Sequence, residues 1–122
     1  MVRLIGTILL LSFLTGCEKS DSSGAGGYVI TVPLAPSMLN ATATSSTNVN
    51  LSWTDNSNNE DGFRIERKML SNSYVQIASV GPNVTSYADA GVIGATMYTY
   101  RIYSFNASGA SSYSAEVVVT TP

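Results

Sequence analysis

Residues Asn48–Lys68 read NVNLSWTDNSNNEDGFRIERK, and this stretch decides the fold. Apolar side chains alternate at Val49, Leu51 and Trp53, the only tryptophan, with Asn50, Ser52 and Thr54 between them. A period of two marks a strand with one buried face. Asp55–Gly62 then holds Asn, Asp, Ser, Glu and Gly, residues that satisfy their own backbone in turns and cannot build a core. Alternation resumes at Phe63, Ile65 and Arg67, set against Arg64, Glu66 and Lys68. The stretch is expected to fold as a hairpin with Trp53 on its apolar face. Two half-buried strands are not stable alone in water, so more strands must cover that tryptophan.

Outward from this centre the same period recurs. Met38–Thr44 is a first strand, with Leu39, Ala41 and Ala43 on one face. Tyr74–Val80 is a short strand, and Gly81-Pro82-Asn83 is a turn. Val84–Ala88 follows, and Asp89–Thr96 makes a corner. The longest strand is Met97–Asn106: Tyr98, Tyr100, Ile102 and Ser104 share one face, and Thr99, Arg101, Tyr103 and Phe105 share the other. Asn106–Ser111 is a hairpin loop in which Gly109 can take a positive φ. Tyr113–Thr120 closes the set. No segment keeps a helical period. Seven short strands between turns, within residues 33–122, predict an all-β, seven-stranded antiparallel sandwich.

The first 32 residues read differently. Arg3 precedes Leu4–Leu14, an apolar run of 11 residues that is too short for a permanent span, which needs about 20. The run ends in Leu14-Thr15-Gly16-Cys17, which resembles a bacterial lipobox. The resemblance implies cleavage after Gly16 and a diacylglycerol on the Cys17 thiol. Residues 1–16 are then a lipoprotein signal peptide, and Cys17 is the lipidation site and the contact with the membrane. Glu18, rather than Asp, at the next position points by the same resemblance to the outer membrane if the host is Gram-negative. Residues 17–32 form the linker. Its polar, Gly/Ser-rich part, Glu18–Gly27, reads as a flexible tether, and Cys17 to Pro33 spans roughly 20–24 Å as a coil. Tyr28–Val32 either adds an edge strand or leads into Pro33.

The composition excludes several chemistries. The chain of 122 residues carries 6 Lys+Arg against 8 Asp+Glu, a formal charge of −2, and has no basic stripe, so no nucleic-acid partner is expected. Histidine is absent, which rules out Ser-His-Asp and Cys-His catalytic sets. One cysteine permits neither an internal disulfide nor a cysteine–histidine zinc site. Asp55, Ser57, Asn59 and Asp61 invite a calcium reading, but the sixth and twelfth places from Asp55 are Glu60 and Glu66, where a calcium loop wants Gly and a loop Glu. Asp55, Glu60 and Asp61 are expected together in one exposed turn, which is no cleft for a glycosidase pair. No catalytic residue, metal or cofactor is expected.

The module at residues 33–122 resembles a fibronectin type III domain. The carrying residues are Pro36, Leu51-Ser52-Trp53, Gly62-Phe63-Arg64-Ile65-Glu66-Arg67, Val92 with Tyr98-Thr99-Tyr100-Arg101-Ile102, and Asn106–Ser111 with Tyr113-Ser114. The resemblance places Trp53 and Tyr98 in the structural core. Tyr98 stands at the family's tyrosine corner, where the hydroxyl bonds to nearby backbone. The Arg-Gly-Asp adhesion triplet of some members is missing.

Two features could carry binding. Arg64, Glu66, Arg101, Tyr103 and Phe105 are expected on the outer face of one sheet, where aromatics flanked by arginine suit an interface. The competing reading is that Tyr103 and Phe105 merely shield the charged stems beside them. The loops Asp55–Asp61 and Ala107–Ser111 are the second candidate, against plain connections. The expected function is a non-catalytic envelope lipoprotein that displays the domain for protein binding or as a spacer. The alternative is a carbohydrate-binding accessory for cell-wall or environmental polysaccharide, through Tyr103 and Phe105.

Overall fold

The computed structural model describes residues 31–122. The signal run, Cys17, the tether and Tyr28–Ile30 lie outside the described residues. Thr31 and Val32 belong to no strand.

Eight strands follow in order: β1 Ser37–Ser45, β2 Asn48–Thr54, β3 Gly62–Met69, β4 Val75–Val80, β5 Ser86–Asp89, β6 Met97–Asn106, β7 Gly109–Ala110 and β8 Val117–Thr120. They build two antiparallel sheets. The first runs β1-β2-β5; the second runs β4-β3-β6-β7, with β8 also paired to β6. Alternation sets which face each strand buries. Val49, Leu51 and Trp53 from the first sheet meet Phe63, Ile65, Tyr98, Tyr100 and Ile102 from the second, and Val92 closes the corner. Trp53, 5 % exposed, lies 5.6 Å from the Phe63 ring, and this contact joins the sheets.

That contact corrects the expected hairpin. β2 and β3 do not pair: β2 bonds to β1 and β5, and β3 to β4 and β6. Both strands present large apolar rings on their inner faces, and pairing side by side would leave those rings uncovered. Asp55–Asp61, longer than the usual hairpin loop of about two to five residues, instead carries the chain across the roughly 10 Å between packed sheets.

The expected seventh strand, Tyr113–Thr120, is cut back to β8, and the expected loop Asn106–Ser111 holds the short β7, so the chain after β6 pairs in two pieces with a break between them. Hydroxyls cause the break. The Ser111 Oγ accepts the Ser104 amide and the Ser114 Oγ accepts the Ile102 amide, each taking a place that a backbone carbonyl fills in a regular ladder. The chain still follows β6 between the two pieces, through Ser111 N to Ser104 O and Ser114 N to Ile102 O.

A buried polar clasp ties the sheets together. Asp89, at the end of β5, takes the Arg67 guanidinium at 2.7 Å and the Tyr100 hydroxyl at 2.7 Å on Oδ2. Its Oδ1 takes the Gly91 amide at 3.0 Å. Burial works against the Asp89 charge, but the bonds from Arg67, Gly91 and Tyr100 outweigh it and hold the carboxyl below its usual range. Burial, then Asp89, pushes the Tyr100 hydroxyl far up.

Candidate functional site

The second sheet's outer face gathers all five residues expected there. Arg64 stands opposite Tyr103, Glu66 opposite Arg101, and Phe105 opposite Gly62. Even parity on β3 and odd parity on β6 put their side chains on the side away from the core. All five are half-buried.

Two further tyrosines join them. The Arg101 guanidinium is sandwiched between the Tyr74 ring at 3.8 Å and the Tyr113 ring at 3.6 Å. Its Nε donates to Glu66 Oε1 at 2.7 Å. Partial burial opposes the Arg101 charge, and Glu66 more than restores it, so the guanidinium is held more firmly in its charged form. Tyr113 meets Tyr103 edge-on at 5.4 Å. Tyr74, just before β4, extends to the segment before β8 and donates its hydroxyl to Glu116 Oε2 at 2.7 Å. Lost hydration and the Glu116 carboxylate push that hydroxyl up to about 12. Lys68 also sits over the Tyr74 ring, at 4.9 Å, and Arg64 lies over Phe105 at 4.1 Å. The face is a ladder of rings and cations already stacked on one another.

Sequence reasoning missed Tyr74, Tyr113, Lys68 and Glu116. Tyr74 and Tyr113 open two expected strands but lie before β4 and β8 in the structure, and only the packing of those segments on the sheet brings them to Arg101. The signal available was weak: an isolated aromatic after a serine at each place.

The loop candidates are joined as well. The Asn106 side chain donates to Asn59 O at 3.1 Å, linking the β2–β3 connection to the β6–β7 turn. Gly109 has φ +140 and packs against Val32. In the first loop Asp55 Oδ1 accepts the Ser57 amide, so this carboxylate caps its own turn. Glu60 corrects the picture of three exposed acids. It is only 7 % exposed, and its Oε2 accepts the Asn83 amide, pinning this loop to the β4–β5 turn. Among the described residues no group of three or more His, Cys, Asp or Glu could hold a metal ion.

The opposite face, on the first sheet, has other chemistry. Asn50, Ser52, Ser86 and Ala88 line an open depression of about 360 Å³ with no charged side chain in its wall.

In the core, the Ile93 amide donates to the Tyr98 hydroxyl at 2.9 Å, which fixes the corner that starts β6. Trp53 and Tyr98 are both buried.

Comparison with known proteins follows this geometry. An alpha-amylase from Niallia circulans is 35 % identical over 91 residues, which cover 74 % of this chain but only 7 % of that protein. An Fn3-like protein from Clostridium thermocellum superimposes with a TM-score of 0.63 at 26 % identity, covering 75 % of this chain and 96 % of that one. The FN5 domain of Drosophila Lar gives 0.63 at 25 % identity, covering 75 % of this chain and 98 % of its own. A titin segment gives 0.66 at 23 % identity, covering 74 % of this chain and 32 % of that one, a likeness of fold alone. The family model described as fibronectin type III domain matches residues 34–120, almost the whole sandwich, and the chain therefore belongs to the fibronectin type III family.

Proposed function

We propose that this chain is a non-catalytic envelope lipoprotein, anchored through Cys17, that presents its fibronectin type III domain as a protein-contact or spacer module. The observation that carries this reading is the pre-stacked ladder on the second sheet. Arginine and tyrosine held rigid on an open sheet face are the chemistry of a protein interface, because little side-chain freedom remains to be lost on contact. A tether of the expected length lets the anchored domain meet partners at the membrane, where anchoring raises local concentration without adding contacts.

The alternative, a carbohydrate-binding accessory, draws on the relative named alpha-amylase. The ladder counts against its expected form. Sugar rings stack on free aromatic faces, and of the two rings expected to hold them Phe105 carries Arg64 and Tyr103 meets Tyr113 edge-on.

Two measurements test the proposal. In a bacterial host fed labelled palmitate, the wild-type chain is expected to take up label and fractionate with membranes, and Cys17→Ala to do neither. Unlabelled wild-type chain would remove the anchor. The chain is also expected to stay in solution when mixed with insoluble polysaccharides, including peptidoglycan and starch. Sedimentation that Tyr103→Ala/Phe105→Ala abolishes would put the carbohydrate reading in its place.

A further inference from the structure

The outer face of the second sheet divides into groups that satisfy one another and groups that do not. Glu66, Arg101, Tyr74, Tyr113 and Glu116 close on themselves through the bonds and stacks described above. Arg64 is different. Among the described residues it has no carboxylate partner, and what it touches is the Phe105 ring. Lys68, four residues on along the same strand face, rests over Tyr74 and also has no carboxylate partner. The Tyr103 hydroxyl, directly across from Arg64, makes no hydrogen bond with any described residue.

We propose that Arg64 and Lys68 form a two-cation docking face for an extended acidic segment of a partner protein, with one carboxylate held by Arg64 beside the Tyr103 hydroxyl. The proposal rests on the protein-contact reading above and names the partner's chemistry. Charge complementarity is its basis. Glu66 is neutralised by Arg101, and Glu116, held by the neutral Tyr74 hydroxyl, keeps its charge near Lys68, so the face's three cations outnumber its two carboxylates by one, with Arg64 the cation farthest from a carboxylate partner. A guanidinium laid over a ring keeps its in-plane N–H donors for a planar carboxylate, and stacking has already removed part of its freedom. The backbone positions of Arg64 and Lys68 stand about 13 Å apart at roughly 3.3 Å per strand residue, a spacing that an extended chain matches with acids four residues apart. Tyr113 and Val118, 47 % and 57 % exposed, add apolar surface beside the ladder that peptide side chains can cover and a bare sugar–acid chain covers poorly.

The test uses the full chain in detergent micelles, with fluorescein-labelled poly-L-glutamate read by anisotropy. Saturable binding is expected. Arg64→Ala should weaken it about fivefold to tenfold and Lys68→Ala about threefold, the sizes of a charge-assisted bidentate contact and of a single charge. Arg64→Lys, which keeps the charge and loses the fork, should fall between wild type and Arg64→Ala. Asn50→Ala, on the opposite face, should bind like wild type, and the thermal midpoint of each variant shows that it folds. No saturable binding, or binding unchanged in folded Arg64→Ala, overturns the proposal. Tighter capture of polygalacturonate or polyphosphate overturns the assignment to a protein partner. A chain that ignores polyglutamate and every insoluble polysaccharide sinks this proposal and leaves the protein-contact reading standing.

Discussion

Asp89 shows how one residue can join two sheets. Its carboxylate is buried, with side-chain exposure of 4 %, and it answers Arg67 from β3 and Tyr100 from β6 at once. Removing one partner of a buried pair strands the other charge, which costs about 3–5 kcal/mol. Arg67 keeps 23 % side-chain exposure, so Asp89→Ala is expected near the low end, about 3 kcal/mol by chemical denaturation. The pH dependence has a definite sign. The folded carboxyl titrates below its ordinary value of 3.8, so its contribution is fully present above that value. It is lost as pH falls through the lower folded value. Thermal midpoints measured from pH 6 down to 2 should therefore drop more steeply for wild type than for Asp89→Asn below about pH 4. Equal slopes would show that Asp89 is not the acid-sensitive group. At the same scale, the sequence showed Asp89 only as a corner residue, because pairing across two sheets leaves no local pattern.

Among the elements, β3 depends on one glycine. A Cβ on Gly62 would stand 2.1 Å from the Val80 carbonyl oxygen of β4, with the Phe105 ring 3.2 Å away. Backbone cannot yield as a flexible side chain can, so Gly62→Ala must push β3 and β4 apart. Overpacking of this kind costs about 1–3 kcal/mol. Gly81→Ala, in the turn after β4, has nothing within 4 Å and should stay close to wild type. Urea midpoints of the two variants measure the contrast, and similar midpoints would refute the account. The edges are shaped too. β4 pairs with β3 through a register shift at Ile65/Glu66, β1 shifts register twice against β2, and β5 and β8 are short. Short or bulged edges resist further pairing.

For the whole molecule those blunted edges predict a monomer. Full-length Cys17→Ser, which removes the expected acyl site, should sediment as a single species of about 12.9 kDa, less whatever signal is removed. A concentration-dependent dimer would mean that a sheet edge or face is still open. The two faces of the sandwich also part company at this scale. One is neutral and lined with small side chains; the other carries the cations and rings of the ladder. A two-layer fold buries one side of each sheet and leaves the other free to diverge.

Strand positions were legible because a pleated strand alternates its faces residue by residue. Val49, Leu51 and Trp53, and Tyr98, Tyr100 and Ile102, are buried just where alternation puts them. The shared outer face of Arg64, Glu66, Arg101, Tyr103 and Phe105 followed from the same parity. Which strands pair was not legible. Trp53 and Phe63 look alike in a hairpin and across a sandwich, and only the burial of both rings against each other chose the second. Glu60 reads as one more turn acid until the Asn83 amide turns it inward. Tyr74, Tyr113 and Glu116 converge on Arg101 from distant segments. By itself, then, the sequence determined the all-β class, the strand faces and the absence of histidine chemistry, because period and composition are local properties. Tertiary structure alone decided the strand partners, the Asp89 clasp and the stacked ladder, because each depends on which distant residues the packed core brings together.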